Sequence, residues 1–205
     1  MAVSVVGLVL FFVVYAVVHS LLASLGVKKW ARQWLGPGTD RWYRLAYNLF
    51  AVISLLPILP LIVLLPDKTL YIVAPPWRWL MVGGQVLALI GLVTALLQTD
   101  PWHFLGLSQL VARQSVGTGS LNVTGCYGWV RHPLYSFSIL FLWLTPAMTV
   151  NLLTVFVLFT LYFYVGSIYE ERRLLAEFGQ AYREYQQRVP RLIPFPRSRP
   201  SLTPR

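Results

Sequence analysis

Acid is the scarcest chemistry in this chain. Among 205 residues there are 7 Asp and Glu against 17 Lys and Arg, and charged residues of both signs make up only 12%. A soluble domain carries about twice that charged fraction. The hydrophobic share is 57% and the mean hydropathy is +0.61, which excludes an ordinary water-soluble fold. There is one cysteine, Cys126, so no internal disulfide framework exists. The three histidines and the lone cysteine show no metal-ligand spacing, so no metal is expected. No internal repeat recurs, and no basic segment precedes the first apolar run, so that run reads as a retained helix and not a signal peptide. The net charge of +10 does not point to nucleic acid. The cations sit in short segments beside apolar runs, the distribution that positive-inside topology and anionic lipid headgroups produce.

What is present is a series of apolar runs about 20 residues long, enough to cross a bilayer as helices. The expected fold is therefore all-α and polytopic, with about five spans near 3–25, 45–65, 78–98, 134–149 and 151–169. Lys28, Lys29, Arg32, Arg41 and Arg44, with Asp40 as their only acid, mark the first loop as cytoplasmic and the N-terminus as external. Gly36-Pro37-Gly38 predicts a turn inside that loop. Pro57 and Pro60 kink or end the second span. Gly83, Gly84 and Gly91 allow close helix contact in the third. Asp100, Trp102 and His103 cap and anchor the start of a long connection. It comprises an amphipathic piece (Trp102 to Leu110) and a Gly/Ser/Thr-rich link (Ser115 to Ser120).

Leu134 to Tyr169 holds 36 residues without a charge. That is too long for one span and suits two short ones, about 16–18 residues each, turning at Thr145 to Asn151. From Glu170 a cytoplasmic helix is expected to run to about residue 188, with Leu174, Leu175, Phe178, Tyr182 and Tyr185 on one face. Residues 1–196 make one membrane domain, and 197–205 a disordered basic tail.

A hairpin at 134–169 returns two polar clusters to one membrane face. The first is Tyr127, Arg131, His132 and Tyr135; the second is Glu170-Glu171-Arg172-Arg173. Arg131 offers a planar fork for a carboxylate or phosphate. His132 can donate, accept or carry charge near pH 7. The tyrosines add rings and hydroxyls. A zwitterionic cofactor with a ring system and an amino-acid end would find a partner here for each part. Snorkelling and lipid contact are the plain alternative for such residues.

Three spaced motifs then fall into a pattern. They are Gly125-x-Tyr127-x-x-x-Arg131-His132-Pro133-x-Tyr135, Glu170-Glu171-x-x-Leu174-x-x-x-Phe178-Gly179-x-x-Tyr182-x-x-Tyr185, and Val189-Pro190-Arg191-Leu192-Ile193-Pro194. Over residues 120–195 or so the chain resembles the isoprenylcysteine carboxyl methyltransferase superfamily, which includes phospholipid methyltransferases. The earlier His19-Ser20-x-x-Ala23-Ser24 and Tyr43-Arg44-x-x-Tyr47-Asn48 resemble its small bacterial members, the methanethiol S-methyltransferase-like and NnrU-like proteins.

The resemblance implies S-adenosyl-L-methionine as cofactor, in a cytoplasmic pocket closed by the C-terminal helix, in a bacterial or archaeal inner membrane. It implies one wall of Tyr127, Arg131, His132 and Tyr135, and another of Glu170, Glu171, Tyr182 and Tyr185. It places Arg131 with Glu171 or Glu170 near the reacting centre. His19, Arg44 and Asn48 become candidates for lining the substrate. The acceptor is a lipophilic or small thiol, carboxylate or amine. This sequence departs from the family's pattern at Cys126, where proline is usual, and at Phe137, where a small residue is usual and where the ring would narrow the space for a lipid chain.

Methyl transfer from a sulfonium depends mostly on positioning, which can contribute about 7–11 kcal/mol. Aromatic faces stabilise the cation by roughly 0.5–2 kcal/mol each. A neutral thiol or amine would need a base, for which Glu170 or Glu171 is nearest and His132 second. Two rivals share parts of the pattern. An NADPH-dependent membrane reductase of sterol-reductase type carries a similar Arg-His-Pro stretch, but the loop from Asp100 to Thr124 offers only Arg113 for a 2′-phosphate. A non-catalytic accessory protein could keep the fold, but would have no need of an intact Arg131, His132, Glu170 and Glu171.

Overall fold

The computed structural model describes residues 1–102, 106–107 and 121–195. The amphipathic piece, the Gly/Ser/Thr link and the C-terminal tail lie mostly or wholly outside them, as do His103 and Arg113. The described helices are α1 (Ala2–Ala23), α2 (Leu25–Leu35), α3 (Thr39–Leu55), α4 (Ile58–Leu64), α5 (Trp77–Leu97), α6 (Pro133–Trp143), α7 (Val150–Phe178) and α8 (Gln180–Arg188). Two short strands, β1 (Thr69–Ile72) and β2 (Ala147–Thr149), pair antiparallel, with Thr69 opposite Thr149 and Ile72 opposite Ala147. The protein is an all-α polytopic membrane protein. Ala2–Ala23, Thr39–Leu64, Trp77–Leu97 and Val150–Phe178 are long and apolar enough to cross a bilayer. The fifth apolar segment, α6, has 11 residues, about 17 Å at helical rise, shorter than each of those four.

The chain forms two compact units. The first comprises residues 1–78, 100–119 and 146–159. In it α1 is apolar all round, as a lipid-facing helix is. Val3, Leu10 and Val14 are exposed while Ser4, Leu8 and Phe12, spaced by four, turn inward. The Ser4 hydroxyl donates to the Pro66 carbonyl at 2.7 Å, and the Phe12 ring meets Phe159 edge-on at 5.0 Å. The expected basic loop is in fact largely helical. Ser24 accepts from the Val27 amide at 3.3 Å and so caps α2. Gly36, at φ 84°, ends α2 in a conformation open to glycine. The second span begins at Thr39, earlier than expected, directly after the Gly36-Pro37-Gly38 turn, so that Arg41 and Arg44 lie inside the helix. Pro57 divides it into α3 and α4, whereas Pro60 is tolerated in the first turn of α4, where amides lack helical partners anyway.

The turn expected over Thr145 to Asn151 contains β2. Its register to β1, with a bulge between Thr69 and Tyr71, depends on a partner far along the chain. Asp67 accepts from the amides of Lys68 (2.7 Å) and Asn151 (3.0 Å), and so caps the start of α7. Asn151 donates both amide hydrogens to the carbonyls of Ile62 and Leu65 near the end of α4, each at 3.2 Å.

The second unit comprises residues 79–99, 120–145 and 160–205. Here α5 meets α6 through glycine. A side chain at Gly84 would collide with Leu144, and one at Gly91 with the Phe137 ring. Gly83 has nothing near it, so two of the three glycines make the contact. Gln85 donates to the Phe141 carbonyl at 3.1 Å. At the far end of α5, Gln98 accepts from the Cys126 amide at 2.9 Å, and its carbonyl accepts from Asn122 at 2.6 Å. These bonds hold the 3₁₀ turn Gly125–Gly128 that precedes Arg131. The expected continuous helix over 170–188 is broken. α7 runs through Glu170 and Glu171 to Phe178, and Gly179 at φ 55° redirects the chain into α8.

Candidate active site

The site lies within the second unit and starts from backbone pairing. The Arg131 amide donates to the Pro190 carbonyl at 2.9 Å and the His132 amide to the Arg191 carbonyl at 3.1 Å. The Ser136 hydroxyl donates to the Leu192 carbonyl at 2.6 Å. The segment 190–192 is thus laid along the turn that opens α6. Pro133 occupies the first helical position of α6, where its fixed φ fits and its missing amide costs nothing.

Glu171 is the centre of the side-chain network. Its Oε1 accepts from Arg131 Nε (2.8 Å), lies 2.7 Å from Arg131 Nη2, and meets His132 Nε2 (3.2 Å) and Arg191 Nε (3.1 Å). Its Oε2 accepts from Arg191 Nη2 (2.8 Å) and Gln186 Nε2 (3.0 Å). The Glu171 side chain is 5% exposed and that of Arg131 6%. Arg131 spends Nη1 on the carbonyls of Gln186 (3.1 Å) and Val189. Both partners are therefore committed to protein. A buried ion pair of this kind needs every remaining lone pair and proton satisfied, and nearly all of them are.

Glu170 differs. Its side chain is 35% exposed, and its Oε2 lies 3.3 Å from His132 Nδ1. His132 therefore has a carboxylate on each ring nitrogen. A neutral imidazole can donate from only one nitrogen, so the imidazolium fits this position. Burial alone would lower the His132 pKa; the hydrogen bonds to Glu170 and Glu171 outweigh it and hold the pKa above the ordinary value.

Aromatic rings extend from the charged centre. His132 stacks on Tyr135 at 5.5 Å and 8°, and Tyr135 on Phe163 at 5.3 Å and 13°. The Tyr185 hydroxyl donates to the Tyr127 carbonyl at 2.6 Å, which fixes α8 to the Gly125–Gly128 turn. Burial pushes the Tyr185 pKa up to about 12 and raises those of Tyr127 and Tyr182 further, so all three remain neutral phenols. Tyr182 is 1% exposed, and among the described residues its hydroxyl has no hydrogen-bond partner. Such an orphan costs roughly 1–3 kcal/mol. A polar group bound beside it would remove that cost. An acidic edge, neutral phenols and a chain of rings suit a cationic, ring-bearing cofactor, with Glu170, Tyr182, Tyr127 and Tyr135 as the groups that would hold it.

All eight residues expected in the two walls therefore lie in one unit, and five of them join one network: Arg131, His132, Tyr135, Glu170 and Glu171. Arg191 and Gln186 were missed. Arg191 stood in the Val189–Pro194 motif without a role, and an arginine directly after Pro190 in that motif was the one available signal. Phe137 packs its ring against Gly91, so it serves the contact of α5 with α6. His19, Arg44 and Asn48 lie in the first unit. There the Tyr47 hydroxyl is 2.7 Å from His19 Nε2, and the two rings lie 5.0 Å apart. The Trp102 amide donates to Asp100 at 3.1 Å, the expected cap.

A family model described as a protein of unknown function, DUF1295, matches residues 7–189. The chain belongs to that family. Methanethiol S-methyltransferase 1 and methanethiol S-methyltransferase 2 of Bradyrhizobium diazoefficiens are 32% and 30% identical to it, over 193 and 189 residues. The methanethiol S-methyltransferase of Mycobacterium tuberculosis is 31% identical over 193 residues. These alignments cover 92%, 88% and 89% of this chain, and 66%, 69% and 75% of the relatives. The chain thus spans about two thirds to three quarters of their length. No solved structure matches. The relatives' name is that of the bacterial proteins that the His19–Ser24 and Tyr43–Asn48 stretches resemble.

Proposed function

We propose that this protein is an S-adenosyl-L-methionine-dependent membrane methyltransferase whose acceptor is a small thiol. The observation that carries the reading is the division of labour between adjacent acids. Glu171 is consumed by the buried cluster with Arg131, His132 and Arg191, and Glu170 is left open at its edge. Relatives named for methanethiol support the acceptor class. So does the packing of Phe137 against Gly91, which leaves no gap there for a long chain.

S-adenosyl-L-methionine, when bound, supplies a methyl group on a positively charged sulfur that a thiolate can take directly. The protein's own part is positioning and proton handling. Arg131 and Glu171 hold the turn at His132 rigid, and act as positioning residues. Tyr127, Tyr135 and Tyr182 offer ring faces and hydroxyls to a cationic ligand. Glu170 is the group to receive the acceptor's proton, with His132 beside it balancing its charge. His19, Arg44 and Asn48 are proposed to line the acceptor's path. The five cations from Lys28 to Arg44 support an external N-terminus and a cytoplasmic site.

The test is calorimetric binding of S-adenosylhomocysteine to detergent-purified protein, beside Tyr182→Phe and an NADPH control, followed by product assay with methanethiol. Micromolar binding by the wild type, weakened by Tyr182→Phe, with methylation of the thiol, is the expected result. Binding of NADPH instead would replace this reading with a reductase.

A further inference from the structure

Helix α2 is built differently from the helices around it. It connects α1, which ends at Ala23, to α3, which starts at Thr39. Both neighbours belong to segments long enough to cross a bilayer, so α2 must lie at a bilayer boundary. Its residues sort by face. Ala31 is buried and Val27 half-buried, against the protein. Trp30 and Trp34, one turn apart, are 59% and 74% exposed, with ring centroids 5.9 Å apart. Lys28, Lys29, Arg32 and Gln33 are exposed on the remaining arc. A helix with tryptophans on one flank and cations on another lies in the plane of the interface, rings at the acyl boundary and cations among the headgroups.

The cationic arc has a cavity. Lys29, Arg32, Gln33 and Pro37 line an open pocket of about 330 Å³. Among the described residues one acid serves this region. Asp40 lies 3.8 Å from Lys28 and 3.4 Å from Arg32. Among the described residues Lys29 has no carboxylate within ion-pair distance, so the pocket keeps a positive surplus. A guanidinium fork, an ammonium and a side-chain amide together match a phosphate's oxygens.

We propose that α2 is an interfacial anchor that seats the phosphate of an anionic membrane lipid on Lys29, Arg32 and Gln33. The headgroup occupies the pocket, and the acyl chains descend past Trp30 and Trp34. The lipid is selected by charge and not by chain. A zwitterionic headgroup brings its own cation into a pocket that already holds two, and is disfavoured.

The experiment uses the full chain in detergent, titrated with phosphatidylglycerol or phosphatidylcholine of the same acyl chains, with bound lipid counted by native mass spectrometry. The wild type is expected to retain phosphatidylglycerol with roughly 30-fold preference, the scale of two cations near a headgroup. Lys29→Gln with Arg32→Gln should reduce the preference to near unity. Lys29→Arg with Arg32→Lys should keep most of it, which separates lost charge from lost folding. Lys68→Gln, a lysine outside α2, should leave it unchanged. Equal retention of the two lipids by the wild type overturns the proposal. So does a preference that survives in the Gln pair, or one that Lys68→Gln abolishes as fully.

Discussion

In the first unit Asn151 spends both amide hydrogens on the carbonyls of Ile62 and Leu65. In the second, Glu171 gathers two arginines, a histidine and a glutamine. Both residues are buried, although among the described residues the Asn151 Oδ1 has no partner of its own, and they solve different problems. Asn151 and its neighbour Asp67 complete backbone that helix ends and a two-stranded sheet leave short of partners. Glu171 completes other side chains, each carrying charge into a region of few charges. Backbone repair is needed wherever a helix stops. Concentrating charge costs several kcal/mol per ion before pairing, and a protein this poor in acid places two of its seven in adjacent positions to do it. That contrast is the reason the proposed chemistry is assigned to the second unit.

The largest test of the contrast is Glu171→Ala against Glu170→Ala. Removing Glu171 strands Arg131, His132 and Arg191, and should cost about 3–5 kcal/mol, seen as a collapse of the melting temperature in detergent. Glu170→Ala should melt near the wild type and lose turnover. If the two variants melt alike, the division between positioning and reacting acids is wrong. Next is Asn151→Ala. It leaves two helix-end carbonyls bare and should cost about 1–3 kcal/mol, with S-adenosylhomocysteine affinity unchanged. A loss of affinity equal to that of Tyr182→Phe would erase the distinction between the units.

A smaller effect follows from pH. His132 has a raised folded pKa, so its stabilising contribution is complete below the unfolded value of about 6.5 and is lost as pH rises through the folded value. The melting difference between wild type and His132→Gln should therefore shrink from pH 5.5 to pH 9. A difference that grows with pH would mean the ring is neutral between its two carboxylates. The smallest expected change is His19→Phe, which removes the 2.7 Å contact between the ring and the Tyr47 hydroxyl. The KM for the thiol should rise about three- to tenfold, the scale of one ordinary hydrogen bond, at unchanged S-adenosylhomocysteine affinity.

Much of the fold was readable because lipid imposes it. Four long apolar helices follow from run length, and Pro57 breaks the second where a missing amide must. The site was readable where residues are local to one another, as in Arg131-His132-Pro133-x-Tyr135, or joined by an uncharged hairpin that can only fold back. The strand β2 was not readable. Three residues carry no periodicity, and their partner is fixed by distant register. α2 was hidden because its cations looked like topology signals, and helix and loop are equally compatible with them. The split between Glu170 and Glu171 was hidden for a simpler reason. Adjacent positions on a helix point about 100° apart, and only the packing of α8 and residues 189–191 decides which one is enclosed.

The pairing of Arg131 and His132 with Pro190 and Arg191 has a consequence for biosynthesis. Every spanning segment among the described residues precedes Pro190, so these segments can be inserted while the carbonyls that hold the Arg131 turn are still unsynthesised. Until then Arg131 and Glu171 lack two of their anchors, Arg191 among them. The site is thus completed after those segments, by residues 190–192. A ribosome that stalls or stops shortly before residue 190 would leave a correctly inserted protein with an open, unpaired charge cluster, a form that membrane quality control can distinguish from the finished one.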